Sequence, residues 1–445
     1  MQSAKCPAPP PSVSMFIRDT ATYRVGMERY FTREHTSMDT LAINGGEPVR
    51  TKPFPGREFG LEEVEELVDV LRSGVIGRGD AVRQFELQFA EMHGVKHAVA
   101  SSSGTAALHV AIGVVDPNPG DEILSAPITD MGGVIAVIAQ NAIPVFVDVD
   151  PRTGNIDPAD VERKITNRTR AIVPVHLGGN PCDMDTLMDI ANKHHLIVIE
   201  DCSQAHLAEY NGRKVGTIGH IGAFSLQQGK HMRTGEGGMT ITNDDEMGER
   251  SRLFSDKGWP RYSAAGAREH LVYGMTYRMS NLQAAVGLAQ LRKVRWVVER
   301  RIHLANMLTE LIGEIDGLTP PVVANNSVHT YWFYSVQINE ERLGLSPGEF
   351  VKRLNSEGIP ASANYIGKPI FLYEMVRSKK IHGDSPCPFG CPLSGGTNEV
   401  KYEEGVCPRT EEFLDEMVIF WINEFYTEDD IQDIAKAVRK VTRRE

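Results

Sequence analysis

The stretch Ser225-Leu226-Gln227-Gln228-Gly229-Lys230-His231-Met232-Arg233-Thr234-Gly235-Glu236-Gly237-Gly238 lies 29 positions (from Lys230) beyond Asp201, which closes the apolar run Leu196-Ile197-Val198-Ile199-Glu200. A loop lysine that follows an acid at the carboxyl end of a buried strand is a pairing with particular chemistry. The amine can condense with an aldehyde, and the carboxylate can keep a pyridine nitrogen protonated, so the pair points to pyridoxal 5'-phosphate (PLP) as cofactor. Alone, neither residue says this: a single lysine is usually a solvated surface group, and Asp at a strand end usually caps a turn. Their order also bears on the fold, because parallel α/β sheets carry their ligands at the carboxyl ends of the strands.

Outward from this stretch, short apolar runs at 97–100, 122–126, 144–148, 171–175, 196–200, 223–225 and 239–242 alternate with helical patterns. Seven β-rich runs between helices of 10–20 residues predict an α/β domain with a mostly parallel sheet flanked by helices. Leu61, Val64, Leu67, Val68 and Leu71 share a helix face that Gly74 ends, and Phe85, Leu87, Phe89 and Met92 belong to a second helix ending at Gly94. A long helical pattern from Tyr277 to about Arg301 leads into a smaller C-terminal α+β domain. That domain is expected to hold a strand at 331–338, a helix at 347–355 and a last helix opened by Thr427, with Ile431, Ile434, Ala435, Val438 and Val441 as its buried stripe. The expected division is a flexible extension (1–40), a large cofactor-binding domain (41–300) and a small domain (301–445). The Gly/Pro/Cys-rich stretch 383–408 reads as a long loop, a common site of lids and insertions.

Composition narrows the function. In 445 residues, 47 bases stand against 59 acids for a net charge of −12, which argues against nucleic acid as a partner. No apolar run approaches the roughly 18 residues of a membrane span, and the proline-broken N-terminus does not read as a secretory signal, so a cytoplasmic setting is expected. Six cysteines are too few for a disulfide framework at this length. Cys387, Cys391, Cys407 and His382 can be drawn as a zinc site, but their loose, proline-interrupted spacing favours ordinary packing, and no metal is expected.

The remaining chemistry-bearing residues cluster near expected strand ends. Ser101-Ser102-Ser103-Gly104-Thr105-Ala106-Ala107-Leu108 follows a strand and opens a helix, so its N–H groups and hydroxyls can form an anion site to which Ser225 adds another hydroxyl. With Asp201 on a pyridinium nitrogen, Ser203 would lie against one ring face and Gln204 could reach the phenolic oxygen. His206 and His109 are better read as satisfied structural histidines than as acid–base groups.

Five segments then carry a resemblance. Leu41-Ala42-Ile43-Asn44-Gly45-Gly46-Glu47-Pro48-Val49-Arg50, Ser102-Ser103-Gly104-Thr105-Ala106-Ala107-Leu108, Glu200-Asp201-Cys202-Ser203-Gln204-Ala205-His206, the 230–238 block and Tyr277-Arg278-Met279-Ser280-Asn281-Leu282-Gln283-Ala284-Ala285 occur in an order that resembles the DegT family across residues 41–445. These are fold-type I, PLP-dependent aminotransferases of ketosugars and ketocyclitols. The resemblance implies Lys230 as covalent anchor and proton carrier, Asp201 as pyridinium partner, Gln204 on the phenolic oxygen, and Gly104, Thr105 and Ser225 on the phosphate. It also implies a homodimer with shared active sites. Two departures stand out. The family's ring-stacking aromatic is replaced within Pro127-Ile128-Thr129-Asp130-Met131-Gly132-Gly133, so that either Met131 or another group covers the ring face, or Asp130 contacts substrate. Thr276 stands where the family has an Asn that reaches the neighbour's phosphate. Asp130, Arg278 and His231 are the candidate substrate contacts. The expected reaction is amino transfer from Glu or Gln to a keto sugar, sugar nucleotide or cyclitol. The rivals are a PLP-dependent sugar dehydratase of the same fold, whose relatives carry histidine in place of the lysine, and a PLP-binding regulator without turnover.

Overall fold

Ile197–Asp201 (β5) has apolar residues on both faces because both faces are covered. Val198 packs into one apolar layer with Leu124 and Ile172, and its neighbour Ile199 into another with Ile123 and Ala171. In the computed structural model, which describes residues 40–261, 269–392 and 400–443, the other strands are His97–Ser101 (β1), Glu122–Ser125 (β2), Ile143–Phe146 (β3), Thr169–Val173 (β4), Glu209–Tyr210 (β6), Arg213–Lys214 (β7), Ile221–Ser225 (β8), Gly238–Thr242 (β9), Leu318–Thr319 (β10), Ser327–Val328 (β11), Tyr334–Ile338 (β12), Ala361–Ala363 (β13) and Met417–Phe420 (β14). The seven runs expected from the sequence all become strands of one sheet, ordered β1-β9-β8-β5-β4-β2-β3, with ends shifted by up to two residues. All pairings within it are parallel except the two made by β9. The expected extension lies, apart from Thr40, outside the described residues.

The labelled helices are α1 (Leu61–Ser73), α2 (Asp80–His93), α3 (Gly104–Val115), α4 (Met131–Ala139), α5 (Pro158–Lys164), α6 (Met184–His194), α7 (Asp245–Ser255), α8 (Asn281–Ile312), α9 (Pro347–Ser356), α10 (Pro408–Glu416) and α11 (Glu428–Val441). α8 is longer than its sequence pattern suggests. Its first half (Ala284, Leu288, Val294) packs with β1, β8 and β9, and its second half (Leu304, Leu308, Ile312) with a second sheet, β10-β12-β14-β13. α11 starts on a capping box between Thr427 and Asp430, and its five expected apolar residues are all buried against that sheet. Two packing contacts join distant parts of the sequence. Leu41, Val49 and Phe54 pack on the second sheet's core, while Phe389, Tyr402 and Cys407 pack with Val134, Ile138 and Phe146 of the large sheet's layer. The described part of 383–408 is therefore held down, with the Tyr402 hydroxyl donating to Pro144 O at 2.7 Å.

Three local expectations need correction. The strand expected at 331–338 begins only at Tyr334, because Tyr331 has φ 48° and Trp332 N–H donates to Gly178 O (2.7 Å) instead of to a ladder partner. Leu61, Val64 and Leu71 of α1 are exposed, as is Leu87 of α2. α1 docks on α8 through Glu63, which takes hydrogen bonds from Gln290 (2.7 Å) and Lys293 (2.9 Å), and its apolar stripe turns outward. Among the described residues, no helix is long and apolar enough to cross a membrane.

Candidate active site

The carboxyl ends of β1, β5 and β8 converge on a cavity of about 340 Å³. Lys230 enters it from the loop between β8 and β9, which folds on itself through Leu226 N–H to Gly237 O (2.8 Å), Thr234 N–H to Leu226 O (2.8 Å) and Gln228 N–H to Gly235 O (2.8 Å). Gly235 has φ 82°, the left-handed region that favours glycine. The Lys230 Nζ lies 3.8 Å from the centroid of the Trp332 ring, and the residue is only 8% exposed. Burial lowers its pKa to about 8, although the charges of Asp201 and Asp130 pull the other way. At pH 7 about a tenth of such amines are neutral, against about one in three thousand for an ordinary lysine.

Asp201 ends β5 in the same cavity. Burial raises its pKa, opposed by the Ser203 N–H bond to Oδ1 (3.0 Å) and by the positive charge of Lys230. Behind it, Glu200 is fully buried but fully engaged: it accepts from the backbone N–H of Gly216 (2.8 Å), Ile218 (2.8 Å) and Gly219 (2.6 Å) and from His176 Nε2–H (3.1 Å). His176 Nδ1 in turn accepts from Cys182 N–H at 3.0 Å. His176, Glu200 and Cys202 have metal-ligand spacing among the described residues, but these bonds already occupy the His and Glu donor atoms. Cys387, Cys391 and Cys407 form no such group among the described residues.

Opposite Asp201, Ser103 caps α3, accepting from Ala106 N–H at 3.1 Å. A Cβ on Gly104 would lie 2.6 Å from Ser225 Cβ, so glycine is what lets the Ser225 hydroxyl sit beside the start of the helix. Thr105 approaches Gly132 in the same way. Ser203 and Gln204 complete the wall. Gln204 is oriented at both ends: Oε1 accepts from Gly178 N–H (2.7 Å) and Nε2 donates to Tyr365 OH (3.1 Å). Asp130 caps α4 by accepting from Gly132 N–H (2.9 Å) and lines the cavity.

Other expectations fare differently. His231 does not line the cavity: it is fully buried, with Nε2 donating to Thr330 O at 2.8 Å. Met131 packs with the β3 layer and leaves the cavity to Asp130. Thr276 and Arg278 lie outside this chain's cavity, where Arg278 pairs with Asp256. His109 bonds Tyr277 OH (2.7 Å) and Gln140 (2.8 Å), and His206 bonds Ser225 O (2.8 Å), both as structural groups. Trp332, Tyr365 and Glu236 also line the cavity and were not foreseen. Trp332 and Tyr365 are brought there by long-range folding and carry no local motif, whereas Glu236 lies in the Lys230 loop itself.

A desolvated amine, a buried acid and a hydroxyl-bearing helix start thus share one cavity. Residues 58–389 match the sequence model of the DegT/DnrJ/EryC1/StrS aminotransferase family. The chain belongs to this family. Like its other members, this aminotransferase is an enzyme of the fold-type I class, in keeping with its mostly parallel sheet. It is 37% identical over 424 residues to the L-glutamine:2-deoxy-scyllo-inosose aminotransferase of Micromonospora echinospora, covering 91% of this chain and 98% of the relative. It is 38% identical over 312 residues to the GDP-perosamine synthase of Caulobacter vibrioides, covering 69% and 80%. The X-ray structure of the aminotransferase from Psychrobacter cryohalolentis superposes with a TM-score of 0.76 at 32% identity, over 87% of this aminotransferase and 98% of that chain.

Proposed function

We propose that this enzyme is a PLP-dependent aminotransferase that moves an amino group from glutamine or glutamate to the ketone of a sugar, sugar nucleotide or cyclitol. The observation that carries the reading is the desolvated Lys230 amine sharing one cavity with buried Asp201 and the α3 start. These residues fit the cofactor. The Gly104–Ser225 approach leaves a hydroxyl-lined cradle at a helix N-terminus, suited to a phosphate. In this reading Lys230 anchors PLP covalently, Asp201 pairs with the ring nitrogen, Ser203 lies on one ring face, Gln204 reaches the phenolic oxygen, and Gly104, Thr105 and Ser225 hold the phosphate.

When bound, PLP supplies an electrophilic aldehyde and a ring that takes up electrons from the carbon bearing the transferred nitrogen. Lys230 Nζ, titrating near 8, can accept a proton and return it close to neutrality. Asp130 and Glu236 present carboxylates to the cavity, and carboxylates accept hydrogen bonds from the hydroxyls of a polyol. The relatives named above support the substrate class, one named for glutamine and a cyclitol, the other for a GDP-linked compound. A homodimer belongs to the same reading. It is supported by the family and by the exposed apolar residues of α1, and it would let Thr276 and Arg278 serve the neighbour's site.

The half-reactions test this. Excess glutamine or glutamate without acceptor should bleach the visible band of the loaded enzyme and release one keto acid per site. A suitable ketosugar or ketocyclitol should then restore the band and gain the amine. Spectral shifts without keto acid would indicate a regulator. A sugar that loses a hydroxyl without gaining nitrogen would indicate a dehydratase and overturn the proposal.

A further inference from the structure

Three charges, buried Glu424 and Arg301 and half-buried Arg57, tie the Lys230 loop to the Trp332 wall. Glu424, 3% exposed, lies on the loop between β14 and α11. Its Oε1 accepts from Arg57 Nε (2.7 Å), and its Oε2 accepts from Arg301 Nε (3.0 Å) and Nη2 (2.9 Å). Burial disfavours its charge, but Arg301 and Arg57 outweigh this and hold the carboxyl below its usual range. The outer ends of both guanidiniums are spent on backbone. Arg57 Nη1 donates to Lys230 O (2.6 Å) and Nη2 to His231 O (2.9 Å). Arg301 Nη1 donates to Trp332 O (3.0 Å) and Tyr331 O (3.3 Å), beside the left-handed Tyr331 backbone that a bulky residue seldom adopts. Trp332 Nε1–H closes the ring by donating to Gly229 O at 2.8 Å.

The clamp therefore grips the peptide carbonyls of the two residues whose side chains meet in the cavity. Arg57 comes from the segment before α1, Arg301 from the middle of α8 and Glu424 from the loop after β14. Arg57 and Glu424 both fall outside the 58–389 match to the family. A fork-shaped guanidinium suits this task, because it can hold a carboxylate with one edge and carbonyls with another.

We propose that Glu424, acting through Arg57 and Arg301, is a positioning residue that seats the Lys230 amine against the Trp332 ring and keeps water from it. This takes Lys230 to be the reactive amine, as in the reading above, but the test addresses the amine itself. Asp201, Asp130 and His206 interact with Lys230 from β5, the α4 cap and the turn after β5, and they stay unchanged in every variant.

The experiment measures the rate at which Lys230 of the full-length, cofactor-free protein is acetylated by acetic anhydride, as a function of pH, by peptide mass spectrometry. The variants are Glu424→Gln, which keeps the shape, and Arg301→Lys and Arg57→Lys, which keep the charge. Glu424→Ala is avoided because it would strand the buried Arg301 guanidinium and leave Arg57 without its carboxylate. Glu357→Gln is the control, a buried acid that instead holds Ala42 N–H (2.8 Å), Val49 N–H (3.1 Å) and Lys440 (2.8 Å). The wild-type midpoint is expected near 8, and each clamp variant should raise it by about one pH unit, a tenfold loss of neutral amine at pH 7. The double variant Glu424→Gln/Arg301→Lys should shift it no further than the larger single change, since both break one ring. A midpoint unmoved in folded clamp variants overturns the proposal, as does an equal shift in Glu357→Gln at similar loss of thermal stability. A wild-type midpoint near that of free lysine would overturn the reading of Lys230 as well.

Discussion

Lys230 bears a cost in the cofactor-free protein. Burial lowers its pKa from 10.5 to about 8, so the folded state binds fewer protons than the unfolded state between those values. The destabilisation is complete below about pH 8 and fades as pH rises toward 10.5. Lys230→Met should accordingly raise the thermal midpoint of the cofactor-free protein at pH 7, by a gain bounded at about 3 kcal/mol, and should raise it much less near pH 10.5. Equal gains at both pH values would exclude desolvation as the cause. Lys230 and Asp201 were legible in the sequence because their side chains carry chemistry that their local order already specifies. Trp332 and Tyr365 were not, since an aromatic in an ordinary apolar context reads as core. His231 was misjudged because adjacency in sequence to a cavity lysine does not fix the direction of a side chain.

Among the elements, the start of α3 matters most to the proposed function. Glycine is a poor helix former, and replacing it with alanine would ordinarily stabilise a helix by about 1 kcal/mol. At Gly104 the added methyl would meet Ser225 Cβ at 2.6 Å, and backbone or hydroxyl must shift to admit it. Gly104→Ala is therefore expected to weaken PLP binding by about tenfold or more, read by absorbance titration of the cofactor-free protein, while Lys230 retains its pH midpoint. Unchanged affinity would remove this cradle from the phosphate site. At this scale the strands were well read, because apolar runs bounded by turn residues are local signals. The outward stripe of α1 was not. Leu61, Val64 and Leu71 form an amphipathic pattern that normally faces a core, but the pairing of Glu63 with Gln290 and Lys293 decides the docking face.

Across the whole molecule, Thr276 and Arg278 have no place in their own chain's cavity, although the family resemblance assigns Thr276 to a phosphate. The proposed dimer resolves this if both act on the neighbour. Co-expression of Lys230→Ala with a Thr276→Ala/Arg278→Ala double variant, each inactive alone, should restore part of the activity, since one site of a mixed dimer is then wholly wild type. Absence of rescue in mixed dimers shown to form would place both residues outside any active site. What the sequence determined by itself is the sheet, the lysine and its acid, and the helix-start cradle, because each is written in neighbouring residues through apolar period, backbone propensity or side-chain chemistry. Only the tertiary structure decided which aromatics wall the cavity, which face of α1 is left open, and how Glu424 reaches both Lys230 and Trp332 through two arginines. Those contacts join residues hundreds of positions apart, and no local pattern encodes a distance that exists only after the chain has folded.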